Sequence, residues 1–212
     1  VVMICAILIA SVGLNTNSVA VIIGAMLISP LMGSILAISY GTASNDAYLV
    51  KRHAVGFAVQ IFMSVATATV YFLLSPVKES TEQLLARTNP NFFDVLIALA
   101  GGIAGIVGQT RKDKSNNIIP GVAIATALMP PLCTCGYAIA NGNLRMLLGA
   151  FYLFTINAYF IYIASDLMLV LLRTPRVRAM TFTEWKRLRK KMYRNTLLVL
   201  LPILAIAIGW NR

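Results

Sequence analysis

The chain has 212 residues, of which 58% are hydrophobic and only 12% charged, yet its formal net charge is +11. The charges are segregated, for 54–74 is 21 residues without one and 116–143 has none, a pattern outside the soluble globular range. A soluble enzyme and a nucleic-acid-binding domain are thereby set aside, and a polytopic membrane protein is indicated, since about 20 apolar residues at roughly 1.5 Å each cross the hydrocarbon core.

Seven apolar spans are predicted in chain order, over 1–14, 19–41, 54–74, 93–108, 118–140, 146–172 and 196–210. The first and last are short, and both chain ends fall in apolar sequence, so the expectation is the hydrophobic part of a longer protein that can carry a soluble domain. A basic n-region and a cleavage site, the marks of a signal peptide, are missing from 1–18. The polar loop Asn15-Thr16-Asn17-Ser18 offers Asn17 or Ser18 as a cap for the second span. That span is interrupted at Pro30, flanked by Ser29, Gly33 and Ser34, and the fifth is interrupted at Pro130-Pro131, flanked by Thr126 and Thr134. Proline removes a backbone donor and disfavours helix geometry in the residue before it, and lipid cannot satisfy the freed carbonyl. Asp94 reads as a helix N-cap and His53, beside Lys51 and Arg52, as an ordinary interfacial residue. The sixth span holds Asn157 and the one acid well inside a span, Asp166, a candidate for ion coupling or proton relay. Its alternative role is pairing with Arg173, seven residues on.

The chain contains its broken span twice. With 21–41 laid over 122–142, Pro30 falls on Pro131, Leu31 on Leu132, Leu27 on Leu128 and Gly41 on Gly142. Ahead of these, Ala6, Ala10 and Gly13 share their spacing with Gly101, Gly105 and Gly108, small residues on one helix face. Three spans per copy give an inverted-topology pair, and inverted repeats with discontinuous helices point to secondary transporters with substrate held at the midplane. The expected organisation is a first three-helix repeat over 1–74, an external connection over 75–93, a second repeat over 94–172, a basic interfacial helix over 173–195 and a seventh transmembrane helix over 196–212.

Orientation follows from the basic residues. Fourteen of the 18 lie in the loops after the second, fourth and sixth spans, which the positive-inside rule makes cytoplasmic. Over 181–194 a capping box, Thr181 to Glu184, precedes Phe182, Trp185, Leu188 and Met192 at helical spacing, opposite Lys186, Arg187, Arg189, Lys190 and Lys191. This describes a helix in the headgroup region, with Trp185 among the acyl chains and the cations on anionic lipid; its simplest role is to anchor topology.

Motifs for other chemistry are lacking. Cys5, Cys133 and Cys135 lie in apolar spans with no His or second Cys pair nearby, so no metal is expected. The sequence has no Gly-rich loop ending in Lys-Ser or Lys-Thr, no His-Glu-x-x-His and no Gly-x-Ser-x-Gly, and no cofactor or enzymatic activity is expected.

The segments NTNSVAVIIGAMLISPLMG, DVLIALAGGIAGIVGQTRK and IPGVAIATALMPPLCTCGYAIA resemble the uncharacterised hydrophobic-domain family known as domain of unknown function 389. The resemblance covers most of the chain and implies an integral membrane protein of the prokaryotic cell membrane, with soluble extensions in some members. It implies no activity, substrate or cofactor. The chain departs from the family pattern at Ser34, where a second proline often follows the glycine.

The expected fold is therefore all-α, a polytopic membrane protein of about seven helices with two inverted three-helix repeats and Pro-broken helices. The expected function is a secondary transporter or channel-like carrier for a small solute, anionic or zwitterionic because helix N-termini face the interior. Its substrate site is expected at Ser29, Pro30, Gly33, Ser34, Thr126, Pro130, Pro131, Thr134 and Asn157. Two other readings are a membrane anchor or signalling module for a soluble domain, and lipid translocation. The expected partners are membrane lipids, the solute and a second copy of the chain in a homodimer built on the third, sixth or seventh span.

Overall fold

A computed structural model describes residues 1–77, 79–110 and 118–175, with Val177, Lys190, Arg194 and Thr196, and gives the backbone alone at 110 and 118–127. The described residues form helices and no strand: α1 (Val2–Asn15), α2 (Val19–Ile28), α3 (Leu31–Ala43), α4 (Ala47–Leu74), α5 (Glu82–Leu85), α6 (Phe92–Thr110), α7 (Ile118–Ala140) and α8 (Leu144–Leu171). Three stretches, Ala47–Leu74, Phe92–Gln109 and Leu144–Leu171, are long and apolar enough to cross a membrane, and α2 with α3 makes a fourth bent by 48°. At 14 residues α1 is about 21 Å long, too short to cross unaided. The seventh expected span beyond Thr196 and, except for Lys190 and Arg194, the expected interfacial helix over 181–194 lie outside the described residues, Trp185, Lys186, Arg187, Arg189 and Lys191 among them.

The helix ends share one device. Asn17, Asn45, Gly142 and Arg173 follow α1, α3, α7 and α8 in the left-handed region, with φ of 55°, 58°, 66° and 54°. In each case the next residue's N–H reaches five residues back, from Ser18 to Gly13, Asp46 to Gly41, Asn143 to Ala138 and Thr174 to Leu169, at 2.8 to 3.1 Å. This closes the helix and reverses the chain. The following helices are then capped by side chains, Asp46 Oδ1 accepting from Leu49 N–H at 3.0 Å and Asn143 Oδ1 from Met146 N–H at 3.1 Å.

Contacts between these turns define two ends of the molecule. At one, Asn15 Nδ2 donates to Ser75 Oγ (2.7 Å), Thr81 Oγ1 to the Leu14 carbonyl (2.7 Å) and Gln83 N–H to Asn17 Oδ1 (3.3 Å). The Thr88 carbonyl lies against Gly149 there, leaving no room for a Cβ. The ends of α1 and α4, the connection and the start of α8 thus meet. At the opposite end, Val177 N–H donates to the Ser44 carbonyl (2.8 Å) and Tyr162 Oη to Thr42 Oγ1 (3.3 Å), joining the ends of α3 and α8.

Between the ends, α4 packs on α7 and α8 packs on α3, while α6 lies against α8 and α1 against α2 and α4. Their shared core includes Ala6, Ala10, Met26, Leu31, Leu128, Leu132, Ile156 and Phe160. The Ala6, Ala10 and Gly13 face and the Gly101, Gly105 and Gly108 face are both buried within the chain. Outward faces remain apolar: Val55, Val59, Phe62 and Val70 of α4 and Leu96, Ile97 and Ile103 of α6 are exposed, as a lipid-facing surface requires.

Ala47–Leu74 and Leu144–Leu171 begin and end 97 positions apart, and Leu31–Ala43 and Ile118–Ala140 end 97 positions apart. These helix bounds share an offset of 97 positions, four fewer than the 101 that superposes the prolines. At this offset Pro30 stands opposite Ala127, and Pro130-Pro131 opposite Gly33-Ser34. The turns decide the offset, because the left-handed residue and the N-cap fix where each helix ends.

Candidate functional site

The two proline sites differ in geometry. Ser29 has φ −72° and ψ 129°, the extended shape that the following proline favours, and Pro30 opens α3 from an αR position. Met26 O, which has no donor from Pro30, accepts Ser29 N–H at 3.2 Å. Pro130 and Pro131, by contrast, lie inside a continuous α7, so the expected second break is absent. Their missing N–H groups leave the carbonyls of Thr126 and Ala127 without their helical donors. Thr134 Oγ1 bonds the Pro130 carbonyl at 3.0 Å, an ordinary local role.

The expected site residues divide by burial. Ser34, Pro130, Pro131, Thr134 and Asn157 are buried, Ser29 is half-buried, and Pro30 and Gly33 are exposed on the outer side of the bend. The Thr126 side chain lies outside the described residues. A Cβ on Gly33 would meet nothing within 4 Å, so this glycine is not needed for close approach.

The structure adds one residue that the sequence reading passed over. Gln60, on α4, accepts the Ser34 hydroxyl through Oε1 at 3.1 Å, joining the helix past the break to its neighbour. Gln60 is the one amide in the uncharged stretch 54–74, and that solitude was the available signal. A second amide, Asn157, lies 97 positions on and is 4% exposed within α8. Phe57 and Phe154, one turn before each amide and likewise 97 apart, stack with ring centroids 6.0 Å apart. Two intramembrane amides thus flank an aromatic contact between α4 and α8.

Asp166 is 6% exposed, and its Oδ1 has no hydrogen-bond partner among the described residues. Nearby, Ser39 Oγ donates to the Tyr162 carbonyl (3.2 Å) and Ser165 Oγ to the Gly102 carbonyl (3.0 Å). Cys133 and Cys135 are buried free thiols, and Cys5 is exposed. No three His, Cys, Asp or Glu converge on a metal-sized site among the described residues. An apolar cleft of about 610 Å³ opens sideways between α1 and α4, lined by Ile4, Leu8, Val70, Tyr71 and Leu74.

Comparison with known proteins returns an uncharacterized protein of Methanocaldococcus jannaschii (MJ0678), 29% identical over 150 residues, 71% of this chain. The chain spans 46% of that relative's length. No solved structure matches. The model of the family described as Domain of unknown function (DUF389) matches residues 26–163, and the chain belongs to that family.

Proposed function

We propose that this chain is the membrane-embedded core of a secondary carrier for a small polar solute, anionic or zwitterionic, in a prokaryotic cell membrane. The observation that carries this reading is the Ser34–Gln60 hydrogen bond just past the α2–α3 bend, with Pro131 and Asn157 at the matching positions of the second half. A polar bridge of this kind, set in otherwise apolar helices, is expensive unless it is used. On α7, the carbonyls of Thr126 and Ala127 are stripped of their helical donors. The solute would lie among Ser34, Gln60, Asn157 and the Pro131 turn, toward the N-terminus of α3.

Spans one to three and four to six form an inverted pair in this reading. Its support is the 97-residue register and the shared ends. Helix α1 runs toward the end holding the connection, whereas α6 starts from it; α3 and α8 both finish at the other end. Lys51 and Arg52 make that other end cytoplasmic. A homodimer formed on the apolar faces of α4 or α8 completes the assembly.

The test is a thermal-shift screen of purified protein against amino acids, carboxylates and inorganic anions, followed by uptake of any hit into proteoliposomes. Gln60→Leu and Asn157→Leu are expected to abolish the shift and cut uptake at least about tenfold, the equivalent of one lost hydrogen bond to a charged group. Uptake unchanged in both variants overturns the site. The sideways cleft between α1 and α4 favours lipid translocation as the second reading, and scrambling of fluorescent phospholipid by the same liposomes would select it.

A further inference from the structure

The polar crossing of α3, α6 and α8 lies away from the solute site, toward the end of the molecule where α3 and α8 finish. Asp166 sits in it with 6% of its surface exposed and Oδ1 unpartnered among the described residues. A bare carboxylate in a dry interior is so costly that its charge must be neutralised in place. Phe57 of α4 touches α8 at Phe154, and the helices packed along α8 are α3, α6 and α7. The sequences of these three contain no Lys, Arg or His. Their one acid, Asp94, lies in the first turn of α6, at the opposite end. The titratable groups that they bring are Tyr40 on α3 and Cys133, Cys135 and Tyr137 on α7. Lys51, Arg52 and His53 of α4 and Arg173 after α8 lie toward the same end, yet Asp166 Oδ1 bonds none of them.

Hydroxyls and carbonyls bond one another across the same crossing of α3 and α8. Tyr162, one helical turn back and within electrostatic reach of Asp166, donates its hydroxyl to Thr42 Oγ1 at 3.3 Å. Thr42 Oγ1 in turn donates to the Ile38 carbonyl at 3.0 Å. Ser39 Oγ reaches both the Ile35 and Tyr162 carbonyls, at 3.1 and 3.2 Å. Hydroxyls and carbonyls at a helix crossing suit a small hard cation and give a proton a chain to move along.

We propose that Asp166 is the seat of an exchangeable monovalent cation, a proton or Na⁺, bound at the crossing of α3 and α8. Its neutralisation lets α8 pack against α3, and its loss toward the cytoplasmic end opens that contact. The use of this cation to drive solute rests on the carrier reading, but its occupancy does not.

The experiment measures occupancy without transport. Purified full-length chain in detergent is treated with dicyclohexylcarbodiimide, which forms an adduct with buried protonated carboxyls. The adduct is located by peptide mass spectrometry, in buffers from mildly acidic to mildly alkaline, containing either Na⁺ or choline. If the ion is a proton, labelling at Asp166 falls severalfold as pH rises, equally in both salts. If it is Na⁺, labelling at one pH is severalfold lower in Na⁺ than in choline. No adduct at Asp166 in any buffer, or an adduct indifferent to both pH and salt, overturns the proposal. Asp166→Asn removes the mapped adduct, and Tyr162→Phe keeps it. Should Asp166 label as expected while imposed ion gradients drive no uptake, the carrier reading fails and the cation site stands.

Discussion

Phe57 of α4 and Phe154 of α8, 97 residues apart in the chain, stack on each other, ring centroids 6.0 Å apart and planes 24° from parallel. Self-matching contact of this kind arises where a pseudo-two-fold axis passes between two copies of one unit. In an inverted pair the helices cross there in opposite directions, so that Gln60 and Asn157 lie on either side of the contact. A double-mutant cycle with Phe57→Leu and Phe154→Leu, read by thermal unfolding in detergent, should give a coupling of about 0.5–1.5 kcal/mol. Strict additivity would show that the rings touch without supporting each other.

Gly136 of α7 meets α4 so closely that a Cβ would strike Ala68 Cβ and lie 2.8 Å from the Thr69 nitrogen. Its counterpart is Ser39, whose hydroxyl bonds the Tyr162 carbonyl across the matching α3–α8 crossing. Gly136→Ala therefore pushes on backbone, not on a yielding side chain, and should destabilise the protein by about 1–3 kcal/mol. Ser39→Gly should cost less, about 0.5–1.5 kcal/mol, because it removes a hydrogen bond but opens no clash. Thermal denaturation of the two variants orders them; the reverse order would contradict the crossing geometry.

Proline acts differently in the two halves. Spin labels at the exposed positions Ile23 and Tyr40 report the angle between α2 and α3. Pro30→Ala restores a donor to Met26 O and should lengthen that separation as the 48° bend relaxes. Pro131→Ala should leave the course of α7 unchanged and return a donor to Ala127 O, with stability equal or raised. Equal distances in wild type and Pro30→Ala would show that packing, not proline, holds the bend.

Tyr48 and Arg145 are exposed near the starts of α4 and α8, 97 positions apart. After replacement of the three native cysteines, Arg145→Cys should react with an impermeant maleimide from outside the cell. Tyr48→Cys should react only after permeabilisation. Labelling of both from one side would refute the inverted arrangement.

Much of this was legible in the sequence. Uncharged stretches gave the long helices, Pro30 gave the bend, and the small-residue faces were found buried. The internal register was not legible, because superposing the prolines rewards the most conspicuous residue. In the structure Asn45-Asp46 and Gly142-Asn143 share one geometry, a left-handed residue followed by a cap. Gln60 escaped because a lone amide in an apolar helix has no spacing pattern; only its bond to Ser34 gives it a role. Nor did proline type distinguish a break from a tolerated insertion, since α7 absorbs Pro130 and Pro131 where its neighbours pack closely around it.

The interleaving of α4 with α7 and of α8 with α3 bears on biogenesis. While the first four helices leave the ribosome, the face of α4 carrying Ala68 and Phe72 has no protein to receive it, for the notch at Gly136 has yet to be translated. The first half must wait in the bilayer as an open shell, and insertion and folding are separate events in time. Chain released before α7 is complete would be inserted yet unfinished, a substrate for membrane quality control, whereas the two halves supplied as separate polypeptides should find each other.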